Sequence, residues 1–345
     1  MSRARSIDQR PVTDDEPRRW SSIVRPSSVS GGRAALTLAL ALTLDLLVGD
    51  PPNRWHPVAW MGTLIGYLQR HAPVAGKGRR FAYGLGLVTV GLSLTGGTVA
   101  LFQHQFKRMP VVLQLLVEAL LLKMTLSPAG LTRAANAVYE PLQADDLPAA
   151  RHALSWHLVS RKTDQLDRTE VAAAAVESVA ENASDGVVAP MFFFALGGLP
   201  FAFAYRFLNT ADSMLGYRDP GREWVGKTAA RLDDLANWLP ARLTALLIIL
   251  AAFWTDDGVQ RAWQIWRRDG GRTASPNAGQ PMSAMAGALG VELTKSGHYR
   301  LGQGEGQAQP GDILRSVRLL WGATAGALLA CALIAALSAR FGRTR

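Results

Sequence analysis

The sequence is poor in cysteine, histidine and charge. Among its 345 residues there is one cysteine, Cys331, and the six histidines are scattered. These numbers exclude a disulfide framework and a thiolate metal cage, and we expect neither zinc nor haem as a cofactor. Charged residues make up 19% of the chain and hydrophobic ones 48%, which is too apolar for a soluble protein of this length.

The net charge of +10 does not indicate a nucleic-acid partner. The basic residues lie at the flanks of apolar blocks, and they form no stripe with interleaved aromatic residues. Anionic lipid headgroups are the expected counterpart, so the lipid bilayer is the first partner that the composition predicts.

A strand is missing in front of the one motif that suggests nucleotide binding. GREWVGKT, residues 221–228, fits the P-loop pattern G-x-x-x-x-G-K-[ST]. A P-loop needs a strand that delivers its glycine-rich turn onto a helix N-terminus. The preceding AFAYRFLNTADSMLGYRDP has no strand alternation. We therefore interpret the match as coincidental, a surface turn that leads into a helix and leaves Lys227 available to phosphate only as a simple cation.

Long uncharged blocks predict membrane crossings. Residues 81–102 and 320–339 carry no charge and are long enough to cross a bilayer core as helices. Residues 239–254 carry one charge near their start, Arg242, which can reach the membrane interface.

Three weaker blocks leave the number of crossings open. Residues 34–49 contain Asp45, residues 110–126 contain Glu118 and Lys123, and residues 187–205 contain a Gly-Gly-x-Pro break. Each is compatible with a crossing, a re-entrant hairpin or a buried core helix. We predict an all-α, polytopic integral membrane protein with roughly four to six membrane helices and polar helical connections.

The chain begins with an arginine-rich segment of low apolar content. We interpret residues 1–33 as a disordered basic arm, followed by a single integral membrane catalytic domain over residues 34–345. The position of the arm before the first apolar block predicts a cytoplasmic N-terminus.

Two polar stretches contain candidate site residues in the first half of the chain. In GDPPNRWHPVAW, prolines break any helix near Asn53, Arg54 and His56, which indicates either a turn between membrane helices or a binding site. Further along, Asp167 and Glu170 have the spacing of a capping box and predict the start of a helix.

That predicted helix presents an acidic face. Glu170, Glu177 and Glu181 line up at about 100° per residue, and Asn182, Asp185 and Gly186 are expected to close the helix. One interpretation is a solvated acidic face. The other, which we favour, is that Glu177, Glu181 and Asp185 hold Mg²⁺, a hard ion suited to carboxylates.

Two later stretches supply further candidates. Asn209 and Asp212, with Arg206, fall near one helical face, and a following segment carries a second group on another face. The second group is Arg231, Asp233, Asp234 and Asn237. Arg231 and Asp234 are also spaced to pair with each other. A turn with Ser275 and Asn277 then precedes a small-residue run typical of close helix packing.

In this order, the stretches resemble the CbiB/CobD family, the membrane-bound adenosylcobinamide-phosphate synthases of cobalamin biosynthesis. The matching segments are DLLVGDPPNRWHPVAWMG, VESVAENASDGVVAPMFFFALGG, AYRFLNTADSMLGYRD, ARLDDLANWLPARLTA and SPNAGQPMSAMAGALGV. They cover most of the chain between Asp45 and Tyr299. One departure is Arg161-Lys162-Thr163-Asp164, where the family commonly has Arg-Asp-Thr.

The resemblance implies an ATP-dependent amide ligase in the cell (inner) membrane. It would join adenosylcobyric acid to (R)-1-amino-2-propanol or its O-phosphate, with Mg²⁺ as cofactor, a cytoplasmic active face and other late cobalamin-pathway enzymes as partners. Two alternatives stay open, a membrane corrinoid-binding or assembly protein without ligase activity and a transporter. Against the transporter, the sequence shows no internal repeat.

Roles for the candidates follow from this expected chemistry. Glu177, Glu181 and Asp185 are assigned to metal and phosphate positioning, and Arg231 with Arg206 to phosphate charge. Asp212, Asp233 and Asp234 are assigned to metal binding or amine deprotonation. Substrate contacts are assigned to Asn53, Arg54, His56, Asn209, Asn237, Ser275 and Asn277.

Overall fold

Helices dominate the computed structural model, which describes residues 31–217, 219, 221–254 and 258–341. The expected all-α architecture is confirmed. The helices are α1 (Gly31–Val48), α2 (Pro57–Arg70), α3 (Lys77–Phe106), α4 (Val111–Lys123), α5 (Pro128–Gln143), α6 (Leu147–His157), α7 (Arg168–Ala183), α8 (Ala189–Leu215), α9 (Glu223–Ala236), α10 (Trp238–Ala251), α11 (Gly258–Asp269), α12 (Gly279–Leu289) and α13 (Pro310–Phe341).

A small sheet, which the sequence did not predict, interrupts the helices before α13. It consists of β1 (Val291–Lys295), β2 (Tyr299–Leu301) and β3 (Gly306–Gln307), in the order β2-β1-β3. β1 and β2 form an antiparallel hairpin in which Lys295 pairs with Tyr299. β1 also packs against α7, so the hairpin lies beside the central helix of the fold.

The membrane-spanning character of the chain is confirmed. Among the described residues, five helical segments are long and apolar enough to cross a bilayer: α1, α3, the run Val111–Gln143, the run Arg168–Leu215, and Pro310–Leu337 of α13. A sixth is present if α9 and α10, which meet at a bend of 47°, form one broken span. The charges along α9 and the apolar character of α10 account for this division.

The charges in two ambiguous blocks pair with each other. Asp45 on α1 lies 3.8 Å from the ammonium of Lys123 on α4, and both side chains are buried. Arg33 on α1 donates to Glu118 on α4 at 3.0 Å. Each of the two helices supplies charged partners for the other. The charges that would be unfavourable in a single membrane helix are therefore neutralised when α1 and α4 pack together.

The predicted arm ends earlier than expected from the charge pattern. Gly31 to Arg33 belong to α1, and the rest of the predicted arm, residues 1–30, lies outside the described residues.

The third ambiguous block forms α8, which bends where Gly197 and Gly198 leave helical geometry. Gly198 has φ of 70°, a conformation that favours glycine.

The P-loop-like motif lies at the start of α9 and serves helix packing. The described chain has no strand before it, so its geometry differs from that of a phosphate-binding loop. Lys227 lies 3.8 Å from Glu223 and 4.2 Å above the ring centre of Trp224. A Cβ added at Gly226 would lie 1.9 Å from the carbonyl oxygen of Leu215, so this glycine allows α9 to approach the end of α8.

Replacing Gly226 by alanine is therefore expected to destabilise the protein. The atom in the way belongs to the backbone, so α9 has to move, at a cost of about 1–3 kcal/mol. Unfolding of purified protein in mixed detergent micelles measures the change. Gly86→Ala on α3 is the matched control, because nothing lies within 4 Å of its added Cβ. Equal stability of both variants would contradict the packing role of Gly226.

Candidate active site

The centre of the fold is α7, whose residues 171–180 are all buried. Asp167 and Glu170 form the predicted capping box, with both reciprocal hydrogen bonds at 2.8 Å. Small residues cover most of the helix, so neighbouring helices pack closely against it. The acidic residues of α7 are thereby directed towards α8 and the β1–β2 hairpin.

The helix does not close at Asn182 to Gly186 as expected. It continues through one π-helical turn, Ser184–Val188, directly into α8. The wider turn leaves the backbone oxygen of Asp185 open to side chains, and it accepts hydrogen bonds from the Tyr205 hydroxyl at 3.3 Å and from Arg206 at 3.2 Å. π turns often occur at functional sites, and this one holds a predicted site residue.

A cavity of about 450 Å³ lies beside this turn. Four residues predicted from the sequence line it: Glu181, Asp185, Asn209 and Asp212. The other lining residues are Leu158, Ser160, Asn182, Ser213, Gly216 and Tyr217. The volume is within the range of small-ligand pockets, and most of the lining is polar.

Hydrogen bonds fix the side chains at the base of the cavity. The Asn209 amide donates to the Asp185 carboxylate at 3.4 Å, and its oxygen accepts from Arg206 at 3.2 Å. Arg206 therefore contacts both the backbone of the π turn and the amide that holds Asp185. This arrangement places one cation directly behind the cavity carboxylates.

A second layer of polar residues lies behind α8. Asn237 accepts from the Tyr205 hydroxyl at 2.9 Å and donates to Asp233 at 2.9 Å. Asp233 is 7% exposed, and its other carboxylate oxygen is buried and has no hydrogen-bond partner among the residues that the structure describes. An unpartnered buried carboxylate oxygen is costly, and it indicates a ligand, a proton or an ion at this position.

The turn before α12 holds α9 in place. Ser275 donates to Asp234 at 3.2 Å, and the Asn277 amide donates to the Asp234 backbone oxygen at 2.7 Å. Arg242 lies 3.4 Å from the Asn277 oxygen. The two predicted substrate contacts in this turn thus position α9 and its carboxylates.

Negative charge is in excess at this site. Asp185 is in electrostatic range of Asp233 and Glu181, and Asp212 is in range of Asp234. Arg206 lies near Asp185 and offsets part of this charge. Acidic groups held together in a low-dielectric environment attract a cation, such as a metal ion or an ammonium group.

The donor set fits Mg²⁺ that arrives with phosphate, because this ion typically takes one or two carboxylates and completes its shell with water and phosphate oxygens. Glu181 and Asp185 are available at the cavity for this purpose. Glu177, the third predicted ligand, lies with its carboxylate 4.0 Å from Arg161 instead. Within the described residues, no three His, Cys, Asp or Glu side chains form a metal-binding group.

Comparison with known proteins places the chain in a family. The sequence model of the CobD/CbiB proteins matches residues 38–320. The chain belongs to the CobD/CbiB family. No solved structure matches it at a significant level.

Curated members of the CobD/CbiB family align with most of the chain. Cobalamin biosynthesis protein CobD of Dehalococcoides mccartyi is 45% identical, with 77% of this chain and 86% of the relative covered. CobD of Klebsiella pneumoniae is 40% identical over 85% of this chain and 95% of the relative. CbiB of Salmonella typhi is 40% identical with the same coverage. These names support a role in cobalamin biosynthesis for this family member.

Three of the sequence-predicted residues that lie outside the cavity lining of this CobD/CbiB protein are exposed. Asn53 and Arg54 are exposed on a 3-10 turn, Asn53–Trp55. Arg231 is exposed on α9, and in the described part of the chain it has no ion pair with Asp234 or with another carboxylate. The predicted pairing of Arg231 with Asp234 is therefore absent from the described residues.

His56 belongs to a polar cluster that was not predicted from the sequence. Its Nε2 lies 3.8 Å from Asp50, which accepts hydrogen bonds from Lys123 and Ser127, each at 2.6 Å. Burial by itself raises the pKa of the Asp50 carboxyl, but the neighbouring His56, Lys123 and Ser127 outweigh it and hold the pKa well below its usual value. The Ser127 amide also donates to Gly186 at 3.3 Å, so this cluster abuts the π turn.

Three further residues near α7 were also missed as a group. Arg161 follows α6, and Lys295 and Tyr299 lie on the β1–β2 hairpin next to Glu177 and Glu181. Burial, followed by the Glu177 carboxylate, raises the pKa of Tyr299 well above its usual value, so its hydroxyl stays protonated. Little in the sequence indicated this grouping, because the hairpin is short and lies far from α7 along the chain.

Proposed function

We propose that this CobD/CbiB family member catalyses ATP-dependent amide ligation. The acid is adenosylcobyric acid, the amine is (R)-1-amino-2-propanol or its O-phosphate, and the product is adenosylcobinamide or its phosphate. The observation that carries the proposal is the polar cavity beside the π turn, where several carboxylates and Arg206 converge. The names of the relatives support the pathway.

The reaction requires activation of the acid. A carboxylate oxygen of the corrinoid attacks a phosphorus atom of ATP, which gives an acyl phosphate and ADP or an acyl adenylate and pyrophosphate. The amine nitrogen then attacks the activated carbonyl carbon and loses a proton to a base. Phosphate or AMP leaves with the former carboxylate oxygen, and the amide bond remains.

The residues around the cavity are suited to these steps. Arg206 offers positive charge to the transferring phosphate. Asp212 lines the cavity, where its carboxylate can hold the ammonium and accept its proton, and Asp233 and Asp234 add to the negative potential. Mg²⁺, when bound with ATP near Glu181 and Asp185, would neutralise charge on the phosphate oxygens.

The size of the cavity limits how the corrinoid binds. A volume of about 450 Å³ accommodates a reacting side chain and a small amine, whereas a whole corrin macrocycle is too large. The macrocycle therefore lies across the mouth, near the exposed rim residue Tyr217. Exposed Asn53 and Arg54, with His56, are proposed as more distant corrinoid contacts. Since ATP is cytoplasmic, we place the active face on that side of the cell (inner) membrane, accessible to other late-pathway enzymes.

A direct assay tests the proposal. Detergent-purified protein is incubated with adenosylcobyric acid, Mg-ATP and either the free or the phosphorylated amine, and the products are analysed by mass spectrometry. We expect a new amide, together with ADP from an acyl phosphate or AMP from an acyl adenylate. Heat-denatured protein is the control.

The same assay distinguishes the alternative of a membrane corrinoid-binding or assembly protein. Folded protein that binds the corrinoid but consumes no ATP and forms no amide with either amine would overturn the ligase proposal and favour binding alone.

A further inference from the structure

Arg161 lies beside the acidic end of α7 with most of its hydrogen-bonding capacity unused. Its guanidinium is 4.0 Å from Glu177, beyond hydrogen-bond distance, and its side chain is 28% exposed. Glu177 is 6% exposed, and the oxygen that lies nearest Arg161 is buried with no hydrogen-bond partner in the described part of the chain. The guanidinium and the carboxylate therefore lie close together without forming a hydrogen bond to each other.

Lys295, at the end of β1, approaches the same helix, α7. β1 packs against α7 and brings Lys295 into electrostatic range of Glu181. Its ammonium is 5.9 Å from the ring centre of Tyr299, its partner across the hairpin. Among the residues that the structure describes, Lys295 has no carboxylate within 4.0 Å, and its side chain is partly exposed.

Both cations lie near residues that line the cavity, although neither lines it directly. Arg161 follows Ser160 in the chain and Lys295 is in electrostatic range of Glu181, and both Ser160 and Glu181 line the cavity. Tyr299 is in electrostatic range of Arg161 and forms the ring beside Lys295, so the two cations belong to one cluster. A guanidinium and an ammonium in one cluster beside a polar cavity are suited to recognition of a tetrahedral oxyanion. If the two cations served only to neutralise α7, they would be expected within hydrogen-bond distance of its glutamates.

We propose that Arg161 and Lys295 bind a phosphate group of a substrate at the Glu181 side of the cavity. Glu177 and Tyr299 orient the two cations. The inference rests on the proposed function, in which both ATP and the phosphorylated amine carry phosphate. Either molecule could supply the bound group, and the experiment separates the two sources.

Binding of inorganic tripolyphosphate provides a readout that does not require turnover. Isothermal titration calorimetry is carried out on wild-type protein and on Arg161→Gln and Lys295→Gln. Loss of a charge-assisted hydrogen bond is expected to weaken binding about tenfold in each variant. Lys162→Gln, an exposed neighbour, and Arg300→Gln, on the same hairpin, are matched controls expected within about twofold of wild type. Lys295→Arg retains the charge and is expected to restore most of the affinity.

Steady-state kinetics identifies the source of the phosphate. If ATP supplies it, the KM for ATP rises about tenfold in both glutamine variants while the KM for either amine is unchanged. If the amine supplies it, the KM rises for the phosphorylated amine alone. If both glutamine variants keep the wild-type KM values and the wild-type affinity for tripolyphosphate, the proposal is overturned. A fall in kcat alone would not rescue it, because a structural effect can lower kcat without any loss of phosphate binding.

The two proposals fail separately. Amide formation by a wild-type protein whose tripolyphosphate binding is absent, or is insensitive to both substitutions, would leave the ligase intact and refute the phosphate site. Tripolyphosphate binding that depends on Arg161 and Lys295, in a protein that forms no amide, would retain the phosphate site and refute the ligase.

Discussion

Asp185→Asn is expected to lower the turnover number at least about a hundredfold at saturating Mg²⁺. The substitution keeps the size of the side chain and the backbone contacts from Tyr205 and Arg206. It removes the carboxylate of Asp185, which lines the cavity and is in electrostatic range of Glu181 and Asp233. Because the shape of the site is retained, lost activity reports the loss of the carboxylate. The measurement is amide formation under single-turnover and steady-state conditions.

Asp164→Asn is the matched control for this experiment. Asp164 is an exposed carboxylate in the loop after α6, outside the cavity lining. It is expected to retain wild-type turnover within about twofold. Wild-type turnover by Asp185→Asn would refute any role of Asp185 in metal or phosphate positioning.

Lys123→Met is expected to give the largest loss of stability. Lys123 is 1% exposed and donates to Asp50 at 2.6 Å, with Asp45 at 3.8 Å. Removing the ammonium leaves Asp45, which is 0% exposed, without its compensating charge. Breaking a buried ion pair by removal of one partner costs about 3–5 kcal/mol. Unfolding of purified protein in mixed micelles with increasing denaturing detergent measures the difference.

Two further variants test the cause of this loss. Lys107→Met removes an exposed lysine from the connection after α3 and is expected to change stability by less than about 0.5 kcal/mol. The double variant Asp45→Asn with Lys123→Met removes the uncompensated charge and is expected to recover part of the stability. Equal stability of Lys123→Met and wild type would show that Lys123 does not neutralise the buried carboxylates.

Much of the site could be predicted because its residues share helices. Glu181 and Asp185 lie one turn apart, Asn209 and Asp212 lie three residues apart, and helical periodicity places each pair on a common face. The capping box also marked the start of α7 correctly. Local spacing is sufficient for such features, since they depend on contacts within one helix.

Other features depend on contacts between distant segments, and no local pattern indicates them. The residues of the π turn are equally compatible with an ordinary end or continuation of a helix, so the expected closure near Gly186 was wrong. Arg161 and Lys295 approach α7 from a loop and a hairpin that are far apart in the chain. Arg231 was favoured for its charge, although its position on α9 is exposed while Asp233 is buried.

The pairing of α1 with α4 also constrains how the protein is synthesised. α1 carries Arg33 and Asp45, and their partners Glu118 and Lys123 are translated only after α3 is complete. An unpaired aspartate at the centre of a membrane helix costs about 2.5–3.5 kcal/mol on insertion scales, and Asp45 lies in the last turn of α1, where the interface is near. We therefore expect Asp45 to remain at the interface, or beside the insertion machinery, until α4 emerges. In this order of events, α1 and α4 insert into the bilayer together as a pair, after α3 has inserted.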